Sequence, residues 1–181
     1  MPYNTLTKLA FYIKIYDMRI LGIDPGLATV GWGVIDVVNG KPKPVAFGVI
    51  LTEKDKTLPD RLLIIEEDLK SLIDKFKPDE VALEELFFNN NVTTAINVSQ
   101  ARGVILLTCV KAVGKLYEYT PLQIKQALTG YGRAEKKQIQ EMTKTFLNLT
   151  KIPKPDDAAD ALAVALTHSQ TNRFSSTFKI K

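Results

Sequence analysis

The chain is poor in cysteine, in histidine and in long apolar stretches. Its 181 residues contain one cysteine, Cys109, and one histidine, His168. A single cysteine cannot form a disulfide within the chain, which agrees with a cytoplasmic protein. No apolar run approaches the roughly 18 residues of a membrane span, so no membrane association is expected. Residues 1–17 contain a short apolar patch but no Ala-x-Ala-like cleavage site, which argues against a signal peptide.

The remaining composition is that of one ordinary globular domain. The chain is 45% apolar and 24% charged, and its length allows a sizeable core. We predict an N-terminal extension of uncertain structure over 1–17, a domain over 18–168 and a flexible polar tail over 169–181. Met18 stands directly before the first clear strand.

Apolar patterning predicts an α/β domain. Five short apolar or alternating runs predict strands at 19–24, 31–37, 44–50, 80–84 and 116–119. Helical spacing and end signals predict helices at 58–76, 93–113, 121–128, 134–149 and 156–168. This order predicts a mixed five-stranded sheet with helices on both faces, and we expect parallel strands to flank the first strand.

Acidic residues occur where apolar runs begin or end. Asp24 ends the first strand, Glu84 ends the fourth, and Asp157 and Asp160 share one face at the start of the final helix. Each could be explained by a turn, by solvation or by the helix dipole alone. If the final helix faces the crevice at the strand ends, the carboxylates converge and need cations. Hard oxygen ligands favour Mg²⁺ or Mn²⁺, and a pair of such ions can hydrolyse a phosphodiester.

The acidic positions contrast with the charge of the whole chain. The net charge is +4 and the pI is near 9.0. Between residues 111 and 151 there are eight basic residues against three acidic ones. This segment is either a solvated helix face or a phosphate-binding flank, and the neighbouring acids favour the second interpretation. The combination indicates a metal-dependent nuclease.

Seven motifs in fixed order resemble a known family. They resemble RuvC, the family of bacterial Holliday-junction resolvases with an RNase H-like fold, and the resemblance extends from Met18 to about His168. The motifs are Ile-Asp-Pro-Gly at 23–26, Gly-Trp-Gly-Val at 31–34, Leu-Glu-Glu-Leu-Phe at 83–87, Gln-Ala-Arg-Gly at 100–103, Gln-Ile-Lys-Gln at 123–126, Ala-Glu-Lys at 134–136 and Asp-Asp-Ala-Ala-Asp-Ala-Leu-Ala at 156–163.

The resemblance implies an activity, partners and site residues. It implies a homodimer that resolves four-way DNA junctions by paired symmetric nicks and works with the RuvA–RuvB branch-migration complex. It implies two Mg²⁺ ions per subunit, replaceable by Mn²⁺. The implied residues are the metal-binding catalytic acids Asp24, Glu84, Asp157 and Asp160, a base-contacting Phe87, and the DNA-binding Lys125 and Lys136.

Other residues and functions remain open at this point. Arg133 and Tyr131 lie in a glycine-containing loop and either contact phosphate or belong to a plain surface loop. Glu85 stands where related sequences commonly have Gln, and His168 is expected to be structural. An actin-like ATPase would need a second lobe, for which the chain has no room. A different RNase H-like nuclease and a non-catalytic junction-binding protein are the alternatives.

Overall fold

The computed structural model describes residues 17–86, 92–171 and 175–180. Five strands form a single sheet in the order β3-β2-β1-β4-β5. The strands are β1 (Met18–Asp24), β2 (Thr29–Val38), β3 (Lys41–Leu51), β4 (Glu80–Glu84) and β5 (Leu116–Tyr119). The predicted five-stranded mixed sheet is therefore confirmed.

The neighbours of β1 differ from the expected pair of parallel strands. β1 pairs antiparallel with β2 and parallel with β4, and β4 pairs parallel with β5. Only one flank of β1 is parallel because β2 returns directly along it through a short turn, and such a connection can only join antiparallel strands. The expectation of parallel strands on both sides was wrong.

Helices cover both faces of the sheet, as predicted. The helices are α1 (Leu58–Phe76), α2 (Val92–Ala112), α3 (Pro121–Thr129), α4 (Lys136–Phe146), α5 (Asp156–Thr171) and α6 (Ser175–Phe178). One core cluster joins the sheet to α1 and α2, and the other joins it to α3, α4 and α5. No helix in the described part of the chain has the length and apolar character to cross a membrane.

The end of the chain is more ordered than the sequence suggested. α5 continues to Thr171, three residues beyond the predicted boundary. Further on, the Phe178 ring packs 4.9 Å from the Tyr119 ring, and the Ile180 amide donates to the Leu116 carbonyl. The expectation of a loose tail is corrected for residues 175–180, because their apolar side chains and backbone find partners on β5.

Glycines on β1 and β2 allow α5 to lie directly on the sheet. A Cβ atom at Gly22 would overlap the carbonyl oxygen of Ala161, and one at Gly31 would overlap the carbonyl oxygen of Asp157. At Gly33 an added Cβ would instead meet the Leu162 side chain, with Cδ2 at 2.7 Å. The helix therefore approaches to backbone contact distance, and its first turn lies over Gly31.

We predict that Gly31→Ala destabilises the fold more than Gly33→Ala. The first substitution meets a backbone carbonyl, whereas the second meets a side chain that can partly adjust. Overpacking of this kind costs about 1–3 kcal/mol. Chemical unfolding of both variants measures the difference, and equal free energies of unfolding would contradict the close contact at Asp157.

Candidate active site

Two of the predicted acids come from adjacent parallel strands. Asp24 is the last residue of β1 and Glu84 is the last residue of β4. Ile23 is paired with Leu83, so the two carboxyl-terminal residues are level with each other. Parallel strands open onto a common crevice at their carboxyl ends, and the two acids meet there.

α5 supplies the other two acids to the same end of the sheet. Gly31 is the β2 residue paired with Asp24, and it is also the residue over which the Asp157 backbone passes. The Gly31 contact therefore places Asp157 beside Asp24. Asp160 follows in the next turn of α5 and lines a cavity together with Glu84.

The electrostatics show that the four carboxylates are close together. Burial raises the pKa of Asp24 to about 8, and the negative charges of Glu84, Asp160 and Asp157 add to the effect. Burial and the charge of Asp160 raise the pKa of Glu84 to about 7. Such values mean that the charged forms of both acids are poorly solvated and lie near other negative charges.

Lys136 is the cation closest to this negative charge among the described contacts. Its Nζ lies 2.9 Å from Asp160 Oδ2 and 3.7 Å from Asp156 Oδ2. Burial raises the pKa of Asp160, while the hydrogen bond from Lys136 counteracts part of that rise. Lys136 is the first residue of α4 and Asp160 lies in α5, so this ion pair links the two helices.

A cavity of about 200 Å³ connects the acids to the basic flank. One side is acidic, another is basic and the remainder is apolar. Its lining residues are Glu84, Pro121, Ile124, Lys125, Lys136, Ile139, Asp160 and Ala163. A phosphate group entering this cavity would meet two lysines, while its reacting oxygen atoms would face the carboxylates.

The donor atoms suit a hard divalent cation, but the side chains do not yet form a closed ligand set. Carboxylate oxygens are the ligands that Mg²⁺ and Mn²⁺ prefer. Within the described residues, no group of three or more His, Cys, Asp or Glu side chains is arranged so that it could hold a metal ion. The residues fit a metal by chemistry and by their uncompensated charge, and their side chains would have to turn to surround it.

The predicted site residues fall into three groups. Asp24, Glu84, Asp157 and Asp160 are brought together with Lys125 and Lys136. Arg133 lies apart, in a groove beside Tyr131 at the start of α4. Phe87 lies outside the described residues, so its base-contacting role stays a prediction.

Some features of the site did not follow from sequence reasoning. The role of Gly31 was missed, although a glycine inside a strand often marks the close approach of another backbone. Lys136 was expected to contact DNA, and its ion pair with Asp160 was not foreseen. The ion pair between Lys154 and Asp156, with 2.6 Å between Nζ and Oδ1, was also missed because it depends on the turn before α5.

The sheet order and the acids at its carboxyl edge define an RNase H-like nuclease domain. The model of the family "Crossover junction endodeoxyribonuclease RuvC" matches residues 20–168, and the chain belongs to this family. The crossover junction endodeoxyribonuclease RuvC of Finegoldia magna is 57% identical, over 87% of this chain and 96% of its own length. That of Alkaliphilus oremlandii is 53% identical, over 91% of this chain and all of its own length.

Solved structures show the same relationship. Thermus thermophilus RuvC in complex with a Holliday junction substrate superposes with a TM-score of 0.85 and 34% identity, covering 90% of this chain and 99% of that one. The yeast mitochondrial Holliday junction resolvase Ydc2 superposes with a TM-score of 0.63 and 15% identity, covering 90% of this chain and 87% of that one, and shows the shared fold.

We predict that Asp24→Asn stabilises the protein when a chelator keeps metal away. Because the folded-state pKa of Asp24 is about 8 against an ordinary value of 3.8, the stability contributed by the protonated acid is lost as pH rises through 8. Asparagine cannot ionise and does not incur this loss. The melting temperature of the variant should exceed that of the wild type by an amount that grows between about pH 4 and pH 8 and then levels off, because above pH 8 Asp24 is ionised in both the folded and the unfolded state. Each 1 kcal/mol corresponds to about 2–4 °C.

Glu85→Gln is the matched control for this measurement, because Glu85 is the exposed neighbour of Glu84. Its melting temperature should follow that of the wild type across the pH range. A pH-independent difference between Asp24→Asn and the wild type would contradict the raised pKa.

Proposed function

We propose that this chain cuts four-way DNA junctions by metal-dependent hydrolysis at Asp24, Glu84, Asp157 and Asp160. The observation that carries the proposal is the convergence of these four acids in a chain of net charge +4, where burial and the charges of the other three acids raise the pKa of Asp24 to about 8. The family membership supports the choice of a crossover junction as the substrate.

The carboxylates would hold divalent ions, expected to be two Mg²⁺ per subunit with Mn²⁺ as a substitute. Such ions lower the pKa of a bound water and stabilise the leaving oxygen of a phosphodiester. Asp24 and Glu84 are fixed by the strand ends, and Asp157 and Asp160 are fixed by α5. Protons held by Asp24 and Glu84 in the metal-free site would be released when the ions bind.

The basic residues would bind the phosphates on either side of the cut. Lys125 and Lys136 line the cavity that contains Glu84 and Asp160. An ion that neutralised Asp160 would weaken its ion pair with Lys136, and the Lys136 ammonium, still 3.7 Å from Asp156, could then contact a phosphate of the DNA. Arg133 would contact the backbone of a neighbouring arm, and Phe87 would stack on an unpaired base.

The expected homodimer has a candidate interface on α2. The side chains of Ile96, Leu107 and Val110 are 55%, 54% and 51% exposed and repeat at helical spacing on one face. A two-fold dimer would supply two sites in matching geometry, as paired symmetric nicks require. The RuvA–RuvB branch-migration complex is part of the same proposal as the expected partner.

Substitution of the acids tests the reaction. Asp24→Asn, Glu84→Gln and Asp157→Asn should each lower cleavage of a labelled four-way junction while leaving junction binding close to wild type. Removing one group that stabilises charge in the transition state lowers the rate of the chemical step by about 10²–10³-fold. Duplex and RNA–DNA hybrid substrates serve as controls for junction specificity, and preferential cutting of the hybrid would favour a different RNase H-like nuclease.

Asp156→Asn is the matched control for the acid variants. It removes a carboxylate from the same turn of α5, but Asp156 pairs with Lys154 and Lys136, and it is not among the charges that raise the pKa of Asp24. This variant should retain most of the wild-type rate. If any of the three acid variants cuts junctions as fast as Asp156→Asn, that acid does not belong to the site.

Substitution on α2 tests the dimer. Leu107→Glu should convert the dimer to a monomer in sedimentation and lower paired nicking, because a buried unpaired carboxylate is costly to desolvate. Leu63→Glu on α1 is the control, since Leu63 is 51% exposed, close to the 54% of Leu107, but lies on a different helix. Dissociation of both variants, or of neither, would place the interface elsewhere.

A further inference from the structure

A buried hydrogen-bonded chain lies at the end of α5 opposite the acids. The only histidine, His168, is fully buried. Its Nε2 lies 2.7 Å from Glu80 Oε2 on β4, and its Nδ1 lies 2.6 Å from the Tyr119 hydroxyl on β5. Thr171 Oγ1 donates to the same Tyr119 hydroxyl at 2.9 Å. Directional bonds thus join the last turns of α5 to two neighbouring strands.

The geometry of β4 relates this chain to the acidic site. Glu80 is the first residue of β4 and Glu84 is the last. Side chains alternate along a strand, so residues four apart point to the same face, about 13 Å from each other. Ala82, between them, belongs to the core cluster that includes α5. Glu80 and Glu84 are therefore both on the face that α5 covers.

The geometry of α5 matches that of β4. Asp157 and His168 are eleven residues apart, which is about three turns of a helix and a rise of about 16 Å. Both therefore lie on nearly the same line along α5. When α5 is turned about its axis so that His168 faces Glu80, Asp157 faces the sheet edge formed by the ends of β1 and β4. Asp24 and Glu84 lie at that edge.

The contact between α5 and β4 differs in charge between its two ends. At the site, the carboxylates of Glu84 and Asp160, which have the same charge, line one cavity. At the far end, burial opposes ionisation of Glu80, but the interactions of Glu80 with His168 and Lys115 together outweigh it and keep the pKa of Glu80 below its usual value. Lys115 Nζ, 3.5 Å from Glu80 Oε1, and the Tyr117 hydroxyl, 3.4 Å from the same oxygen, add to this attraction.

We propose that His168 and Glu80 are positioning residues that hold α5 in the register which keeps Asp157 and Asp160 opposed to Asp24 and Glu84. This inference rests on the proposed function, because it concerns the same four acids. The directional hydrogen bonds from His168 to Glu80 on β4 and Tyr119 on β5 resist movement of α5 along or away from these strands. A displacement of about 1 Å at a catalytic group can cost about 10²-fold in rate.

The test compares metal binding with stability in the full-length, DNA-free protein. His168→Leu should weaken Mn²⁺ binding, followed by electron paramagnetic resonance, by about 10–100-fold, the range found when residues that orient metal ligands are lost. Single-turnover junction cleavage should need correspondingly more Mg²⁺, whereas junction binding without metal should not change. His168→Gln, which keeps an amide donor within reach of Glu80, should recover most of the affinity for Mn²⁺.

Thr167→Val is the matched control. Thr167 is also fully buried in α5, but its hydroxyl donates to Ala163 within the same helix and bonds to no strand. It should lower the melting temperature without changing Mn²⁺ affinity, at a temperature where circular dichroism shows both variants to be folded. If His168→Leu does not fold, Glu80→Gln provides the same comparison, since it removes the charge opposite His168.

The positioning role of His168 and Glu80 can fail while the assignment of the four acids stands, and the measurements distinguish the two cases. If the His168 and Glu80 variants bind Mn²⁺ as tightly as Thr167→Val does, the pair contributes only to stability and the proposal is overturned. If Asp24→Asn binds Mn²⁺ and cuts junctions like the wild type, the four acids are not the site. In that case the proposed function fails first, and the positioning role fails with it.

Discussion

The contact between α5 and the sheet determines where every proposed catalytic group stands. Two acids come from strand ends and two from the first turns of α5, so the site exists only while the helix lies in one place on β1, β2 and β4. Backbone contact at Gly22 and Gly31 permits this approach. The alanines and glycines of this contact would by themselves allow α5 to slide along the sheet. The buried hydrogen bonds of His168 to Glu80 and Tyr119 restrict that movement.

This arrangement gives the protein a site that is unfavourable when it is empty of cations. The raised pKa values of Asp24 and Glu84 show that folding removes these carboxylates from water, and repulsion from neighbouring carboxylates adds to the effect. The rest of the domain stabilises them against this repulsion through two apolar clusters and the far-end hydrogen bonds. Divalent ions would be favoured at this site, because their positive charge would stabilise the ionised carboxylates.

The acids that lie at the ends of strands could be predicted from the sequence. Asp24 and Glu84 each end a continuous apolar strand, and parallel strand ends share a crevice, so their proximity followed from pattern alone. The position of α5 could not be predicted in this way, because residues 158–166 are apolar on almost every side and no local signal says which face meets the sheet. The Lys136–Asp160 ion pair and the His168 bonds to Glu80 and Tyr119 join residues 24, 88 and 49 positions apart, and only the assembled fold reveals them.

The residues after α5 have a consequence for how copies of this protein can associate. Lys179 forms a bridge with Tyr117, and Ile180 bonds to Leu116, so backbone groups on the outer side of β5 already have a partner from the same chain. A strand from another molecule could pair there only by displacing that segment. The β5 edge of the sheet is thereby closed to extension by another copy, and β3 is the edge at which a further strand could add without displacing this segment.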